Sequence, residues 1–209
     1  MSIGYGTYQL NKNNETYQCV TDALNLGYRI IDTATLYRNE LETFRAIKDF
    51  LEKHNIPRES VTVSSKIWRY DFEPSILADI GYLDILYLHN PMVEDEKNQE
   101  KWKVMNELDK SKIRTLGVSN FNLEQLKSLS PLPNAIQIEF ATLNQTMVDY
   151  CNTNNITVYV HSCIRKFKVN THYENYKDNL QKCKAWNVIP VIGAKSKEYM
   201  KINFELMTI

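Results

Sequence analysis

Along this chain, short β-branched or apolar runs recur, separated by longer polar–apolar segments of helical period. The runs predict strands over 4–10, 29–33, 61–67, 84–89, 114–119, 135–139, 157–162 and 188–193. The spacing between them predicts helices. Over 14–26, Tyr17, Val20, Ala23 and Leu24 fall on one stripe, and over 41–54 Phe44, Ile47 and Leu51 do the same, stopping before Pro57. A helix over 98–110 carries Trp102, Met105 and Leu108, and further helices are expected over 123–129, 145–154, 173–186 and 198–204. The segment 74–80 is the shortest helix candidate, and no low-complexity linker interrupts the series.

The order is strand then helix, eight times. Parallel neighbours need a crossover, so this order implies a parallel sheet, and eight units imply a closed (β/α)8 TIM barrel. Each unit averages about 26 residues, near the compact end for that fold. The expectation is therefore one barrel domain over residues 1–209. An open doubly wound sheet is the competing architecture. It calls for GxGxxG after an early strand. Gly4-Tyr5-Gly6 lacks the third glycine, and no helix start follows at once.

Composition narrows the function classes. The 209 residues are 43% hydrophobic and 24% charged, with 25 basic and 25 acidic side chains. That suits an ordinary globular protein with one sizeable core. A net charge of +0 gives no electrostatic reason to bind nucleic acid or an acidic membrane surface. No apolar run approaches the roughly 18 residues that span a bilayer. The opening segment lacks a basic region followed by a long apolar stretch, so a cytoplasmic location and reduced thiols are expected, in a monomer or homodimer. The four cysteines, Cys19, Cys151, Cys163 and Cys183, form no CxxC pair. His161, Cys163, His172 and Cys183 lie close in sequence and could be read as metal ligands. Unconnected side chains are the simpler reading, and no metal site is expected.

In a barrel of this kind, chemistry sits where strands end. Strand two ends at Asp32-Thr33, with Tyr37 just beyond; strand three ends at Ser65-Lys66; strand four ends at His89. Strand five delivers Ser119-Asn120, strand six Gln137 and Glu139, strand seven His161-Ser162, and strand eight leads to Lys195-Ser196. Singly, Asp32 reads as a helix cap, Lys66 as a solvated lysine and His89 as a satisfied core histidine. Together they converge on one rim with complementary chemistry. Asp32 and Lys66 on apolar strand ends would pair, because burying either charge alone is costly. A tyrosine at its ordinary pKa of about 10 is a poor proton donor near neutrality. A neighbouring ammonium is expected to lower that pKa, and an imidazole can fix a carbonyl by hydrogen bonding. The set suits protonation of a carbonyl oxygen while hydride reaches carbon. No side chain supplies hydride, so a nicotinamide cofactor is required.

These residues resemble the aldo-keto reductase family, in order over nearly the whole chain. Gly4-Tyr5-Gly6-Thr7-Tyr8 resembles its first-strand GxGT motif with a following aromatic. The run from Gly27-Tyr28-Arg29-Ile30-Ile31-Asp32-Thr33-Ala34 through Tyr37-Arg38-Asn39-Glu40 closely resembles G-[YF]-R-x-[IL]-D-T-A-x-x-Y-x-N-E. Ser65-Lys66-Ile67-Trp68, Asp84-Ile85-Leu86-Tyr87-Leu88-His89-Asn90-Pro91, Gly117-Val118-Ser119-Asn120-Phe121 and Gln137-Ile138-Glu139-Phe140 resemble four further family segments. The resemblance implies a catalytic tetrad of Asp32, Tyr37, Lys66 and His89, with Tyr37 as general acid/base. It implies that Ser119, Asn120 and Gln137 bind the nicotinamide carboxamide, and it puts Thr7, His161 and Ser162 among the cofactor contacts. Lys195 and Ser196 resemble the motif that grips the adenosine 2′-phosphate, favouring NADPH (NADP+), and Asn203 matches an adenine contact. The implied activity is NADPH-dependent reduction of aldehydes or ketones to alcohols, with a small-molecule carbonyl substrate. The alternative is a catalytically weak or inactive nicotinamide-nucleotide-binding barrel that acts as a sensor or interaction protein.

The chain also departs from the family pattern. His161 stands where the family usually has a tyrosine that stacks on the nicotinamide. Tyr199 lies near the place of a phosphate-binding arginine, and Ile202 replaces the glutamate of the adenine contacts. The segment 162–195 is short, leaving Arg165 and Lys168 as substitute phosphate contacts or as solvent-facing residues. The helix between Lys66 and His89 is cut to 73–81, and the family's long C-terminal loop is expected to be absent. A wide, shallow and wet substrate pocket is expected from these changes.

Overall fold

In this computed structural model, which describes residues 2–10, 13–68, 72–92, 94–166, 171–172 and 174–208, a first strand β1 covers only Gly4–Gly6. The expectation over 4–10 was longer. The Leu10 N–H bonds back to the Thr7 carbonyl at 3.2 Å, and Gln9 takes a left-handed φ of 64°, so the chain turns out of the sheet. The other barrel strands are β2 (Ile30–Asp32), β3 (Thr62–Ile67), β4 (Leu83–Leu88), β5 (Ile113–Ser119), β6 (Ala135–Glu139) and β7 (Thr157–His161). A two-residue hairpin, β8 (Arg165–Lys166) with β9 (Thr171–His172), precedes the last barrel strand, β10 (Ile189–Ile192). The ring order is β1-β10-β7-β6-β5-β4-β3-β2, with every barrel pairing parallel. It closes because β1 pairs on both sides: Tyr5 lies opposite Ile31 and Gly4 opposite Val191.

Helices α1 (Glu15–Leu26), α2 (Glu40–His54), α3 (Asp95–Asn106), α4 (Leu123–Lys127), α5 (Gln145–Thr153), α6 (Tyr176–Ala185) and α7 (Lys197–Thr208) follow the strands. The segment expected as the shortest helix is a 3-10 helix, Pro74–Asp79, with proline in its first turn. The helix expected over 173–186 begins at Tyr176, after a turn at residues 174–175, and ends at Ala185; residue 173 lies outside the described residues. The hairpin β8–β9 was not read from sequence. Its two-residue strands are too short to show a period.

Alternation along the strands sorts the core. In β4, Ile85 and Tyr87 join Ala135, Tyr159 and Val191 inside the ring. Leu86 and Leu88 join the larger cluster between strands and helices. Each fully buried Leu, Ile or Phe there contributes about 1.5–3 kcal/mol. Two glycines bear directly on the packing. A Cβ on Gly117 would come within 2.5 Å of the Tyr87 ring, so this glycine admits the tyrosine to the barrel interior. Gly27 ends α1 at φ 109°, and a Cβ there would meet Phe204 at 2.8 Å, where α1 packs on α7. Among the described residues, no helix is long and apolar enough to cross a membrane.

Candidate active site

Four of the strand-end residues meet at one end of the barrel. Asp32 ends β2 and pairs in register with Ser64; Lys66 lies two residues further along β3 and so points to the same side. Tyr37 ends the 3-10 turn Thr35–Tyr37, and His89 directly follows β4. The Lys66 ammonium is ion-paired with Asp32 Oδ2, donates to the Thr33 carbonyl at 3.0 Å, and stands 3.4 Å from the Tyr37 hydroxyl. Asp32 Oδ1 accepts from Ser64 Oγ at 2.7 Å and from Gln137 Nε2 at 2.9 Å. Asp32 and Lys66 are 3% and 1% exposed, so the ion pair is desolvated and depends on these added donors and acceptors.

The turn carrying Tyr37 is held from beneath by Asn39. Its amide donates to the Thr7 carbonyl at 2.9 Å, and its Oδ1 accepts from the hydroxyls of Thr33 at 3.1 Å and Thr7 at 3.2 Å. Beside it, the buried Ser65 hydroxyl donates to Glu40 at the start of α2. Aromatic rings line the mouth. Tyr8 lies 5.0 Å from the Tyr37 ring centroid, Trp68 lies 5.8 Å from His89, and Tyr37 meets His89 edge-on at 5.8 Å.

The electrostatics of the site differ in one respect from the sequence expectation. Burial pushes the Tyr37 phenol up; Lys66 pulls it down, but the net shift is upward from 10.0. Tyr37 is therefore a phenol, not a phenolate, across neutral pH. For Lys66, burial acts downward, and the opposing pull of Asp32 and Tyr37 holds the ammonium above its usual 10.5. Burial, and then the Lys66 charge, lower His89 to about 4, so its imidazole is neutral. His89 Nδ1 is buried without a partner among the described residues.

A second group spans the rim from β4 to β7. Asn120, at φ 63°, donates from Nδ2 to the His89 carbonyl at 3.1 Å and to Ser119 Oγ at 3.2 Å. That fixes its amide, so Oδ1 is the acceptor facing His161 Nε2 at 3.0 Å. The proton of His161 then sits on Nε2, and Nδ1 accepts from Ser162 Oγ at 2.9 Å. Burial and Lys66 lower His161 to about 4, consistent with this neutral tautomer.

The remaining candidates lie apart from these groups. Thr7 is fully buried in the Asn39 network. Lys195 is 54% exposed on its side chain and bonds the Glu15 carboxylate at 3.1 Å. Ser196 accepts from the Met200 N–H at 3.0 Å and so stands at the start of α7, whose first amides have no intrahelical acceptors. Asn203 is buried on α7, and Tyr199 is exposed. Cys163 and Cys183 meet, with sulfurs 4.0 Å apart, while His161 turns to Asn120 and Ser162 instead. Lys168 and the side chains of Arg165 and His172 lie outside the described residues. Ser64, Asn39 and Glu40 were missed as site residues. Ser64 was within reach of the strand period, being two residues before Lys66 on the same face of β3.

Fold and site together define a parallel eight-stranded barrel with an Asp–Lys–Tyr–His cluster at one end. The chain belongs to the aldo/keto reductase family, whose model matches residues 2–203. It is 34% identical to the D/L-glyceraldehyde reductase of Hypocrea jecorina, over 77% of this chain and 59% of that protein. It is 31% identical to the glycerol 2-dehydrogenase (NADP(+)) of Saccharomyces cerevisiae, over 77% of this chain and 64% of that protein. The chain thus spans less than two thirds of either relative. Among solved structures it is similar to MGS-M4, an aldo-keto reductase enzyme from a Medee basin deep-sea metagenome library. The TM-score is 0.83 at 26% identity, covering 99% of this chain and 85% of that one.

Proposed function

We propose that this chain is an NADPH-dependent reductase of small aldehydes or ketones, with Tyr37 as the proton donor. One observation carries the reading: the Lys66 ammonium, clamped by Asp32, lies 3.4 Å from the hydroxyl of a protonated, partly buried tyrosine beside a neutral histidine. The residues present fit the cofactor. Ser119, Asn120, His161 and Ser162 offer amide, imidazole and hydroxyl groups at one rim, and Gln137 reaches the same end of the barrel. An exposed ammonium, Lys195, and a hydroxyl, Ser196, stand at the N-terminus of α7, where an anion is favoured. In this reading these two take the adenosine 2′-phosphate and Asn203, further along α7, lies toward the adenine, while Thr7, fully buried, serves the cofactor end only through the Asn39 network. When bound, the reduced nicotinamide supplies hydride to the carbonyl carbon.

The protein side of the reaction follows from the geometry. Tyr37 gives its proton to the carbonyl oxygen, and Lys66 stabilises the phenolate left behind. Asp32 and the Thr33 carbonyl hold the lysine in place, and Ser64 and Gln137 hold Asp32. Nδ1 of His89, buried with no partner among the described residues, is read as the bare acceptor, which leaves the ring proton on Nε2. That N–H orients the substrate oxygen. Tyr8 and Trp68, both exposed, put aromatic surface at the entrance beside Tyr37 and His89.

The test is consumption of NADPH, followed by nicotinamide absorbance, with glyceraldehyde and a panel of short aldehydes and ketones. Aldehyde-dependent consumption with an alcohol product is expected. Saturable NADPH binding with no turnover across the panel would contradict the reading and favour a nucleotide-binding barrel without catalysis.

A further inference from the structure

We propose that Glu15 is a specificity-determining residue that weakens the distinction between a dinucleotide with a 2′-phosphate and one without. The inference rests on the reading that Lys195 and Ser196 receive that phosphate. Its own evidence is the pairing between two helices. Lys195 bonds the Glu15 carboxylate at 3.1 Å, and Lys197 bonds Asp22 at 3.1 Å, so both basic residues at the start of α7 are held by acids of α1. The acids are the fixed partners. Glu15 and Asp22 side chains are 31% and 21% exposed, against 54% and 61% for the two lysines. α1 is itself anchored on α7, where Gly27 and Tyr28 pack against Phe204, with the Tyr28 and Phe204 rings 5.1 Å apart. Glu15 also opens α1, where the helix field favours a negative charge.

A phosphate monoester brings about −1.5 to −2 charges. At Lys195 it meets an ammonium already paired with the Glu15 carboxylate, whose negative charge repels it. A ribose 2′-hydroxyl brings no charge for Glu15 to repel, and it can donate a hydrogen bond to a carboxylate or to a glutamine amide oxygen alike. The carboxylate therefore acts against the phosphate-bearing dinucleotide alone. The pair is open to water, so the effect is bounded to roughly three- to tenfold.

The experiment is titration of the full chain with NADPH and with NADH, following tryptophan quenching, for wild type, Glu15→Gln and Lys195→Met. Glu15→Gln is expected to tighten NADPH roughly three- to tenfold, leave NADH unchanged, and lose most of its effect in high salt. Lys195→Met is expected to weaken NADPH alone and to abolish the gain from Glu15→Gln in the double variant. A NADPH-to-NADH ratio unchanged by Glu15→Gln, with both dinucleotides still bound, would overturn this inference and leave the functional reading standing. A folded wild type that binds neither would overturn both.

Discussion

Gln137 Nε2 stands 2.9 Å from Asp32 Oδ1, joining β6 to β2 across the barrel. The amide expected to face a nicotinamide is, in this structure, one of three donors to a buried carboxylate. The others are Ser64 and Lys66. The charge pair at the base of the site is thus held from both sides of the ring.

Breaking that pair should be costly. Asp32→Asn leaves the Lys66 ammonium buried without its counter-charge and is expected to lose about 3–5 kcal/mol. The double variant Asp32→Asn/Lys66→Met should recover much of the loss, because no charge is then buried. Gln137→Leu, which removes one donor to a charged group, should cost about 1.5–3 kcal/mol. Urea unfolding midpoints measure all three. Equal stability of Asp32→Asn and wild type would contradict the desolvated pair.

Much of this site was legible because barrel strands place their chemistry at one end. Asp32, Lys66 and His89 each follow an apolar run, and the strand count brought them together. What escaped the sequence was the side-chain bonding that crosses between strands. Ser64 and Gln137 reach Asp32 only because the register sets Asp32 opposite Ser64 and closure sets β6 facing β2. The downward shift expected for Tyr37 failed for a related reason. Proximity to Lys66 could be inferred from sequence, but the burial that outweighs it could not. Strand and helix ends were also misjudged, as at Gly4–Gly6, where a backbone turn over Thr7 to Leu10 ends the ladder early.

Acid should destabilise the protein from about pH 6.5 downward. His89 and His161 both titrate near 4 when folded, through burial and then Lys66, against 6.5 unfolded. Between these values the unfolded chain binds more protons, so stability falls as pH falls and is flat above the window. Each ring contributes up to about 3 kcal/mol, and less for the half-buried His161. Unfolding midpoints at several pH values across the window should show the slope, and His161→Gln should flatten it. A midpoint that does not move would contradict two neutral imidazoles.

The barrel interior carries a removable penalty. The Tyr87 hydroxyl is fully buried and has no partner among the described residues. Tyr87→Phe keeps the ring that fills the space over Gly117 and is expected to stabilise by about 1 kcal/mol. A loss of more than that in thermal or urea unfolding would mean that the hydroxyl is satisfied.

Asn39 should matter to both stability and turnover. It joins Thr7, Thr33 and the turn that ends in Tyr37. Asn39→Ala strands two buried hydroxyls and should cost about 2–3 kcal/mol. Its kcat should fall further than its affinity for NADPH, because the turn positions Tyr37, the proposed proton donor. A variant with wild-type kcat and stability would contradict that brace.

The central claim is that Tyr37 donates the proton, and the most direct measurement is single-turnover aldehyde reduction by Tyr37→Phe with NADPH bound. The account predicts a rate lower by about 10²- to 10⁴-fold, with NADPH affinity and unfolding midpoint close to wild type. A rate unchanged within a few-fold would contradict it.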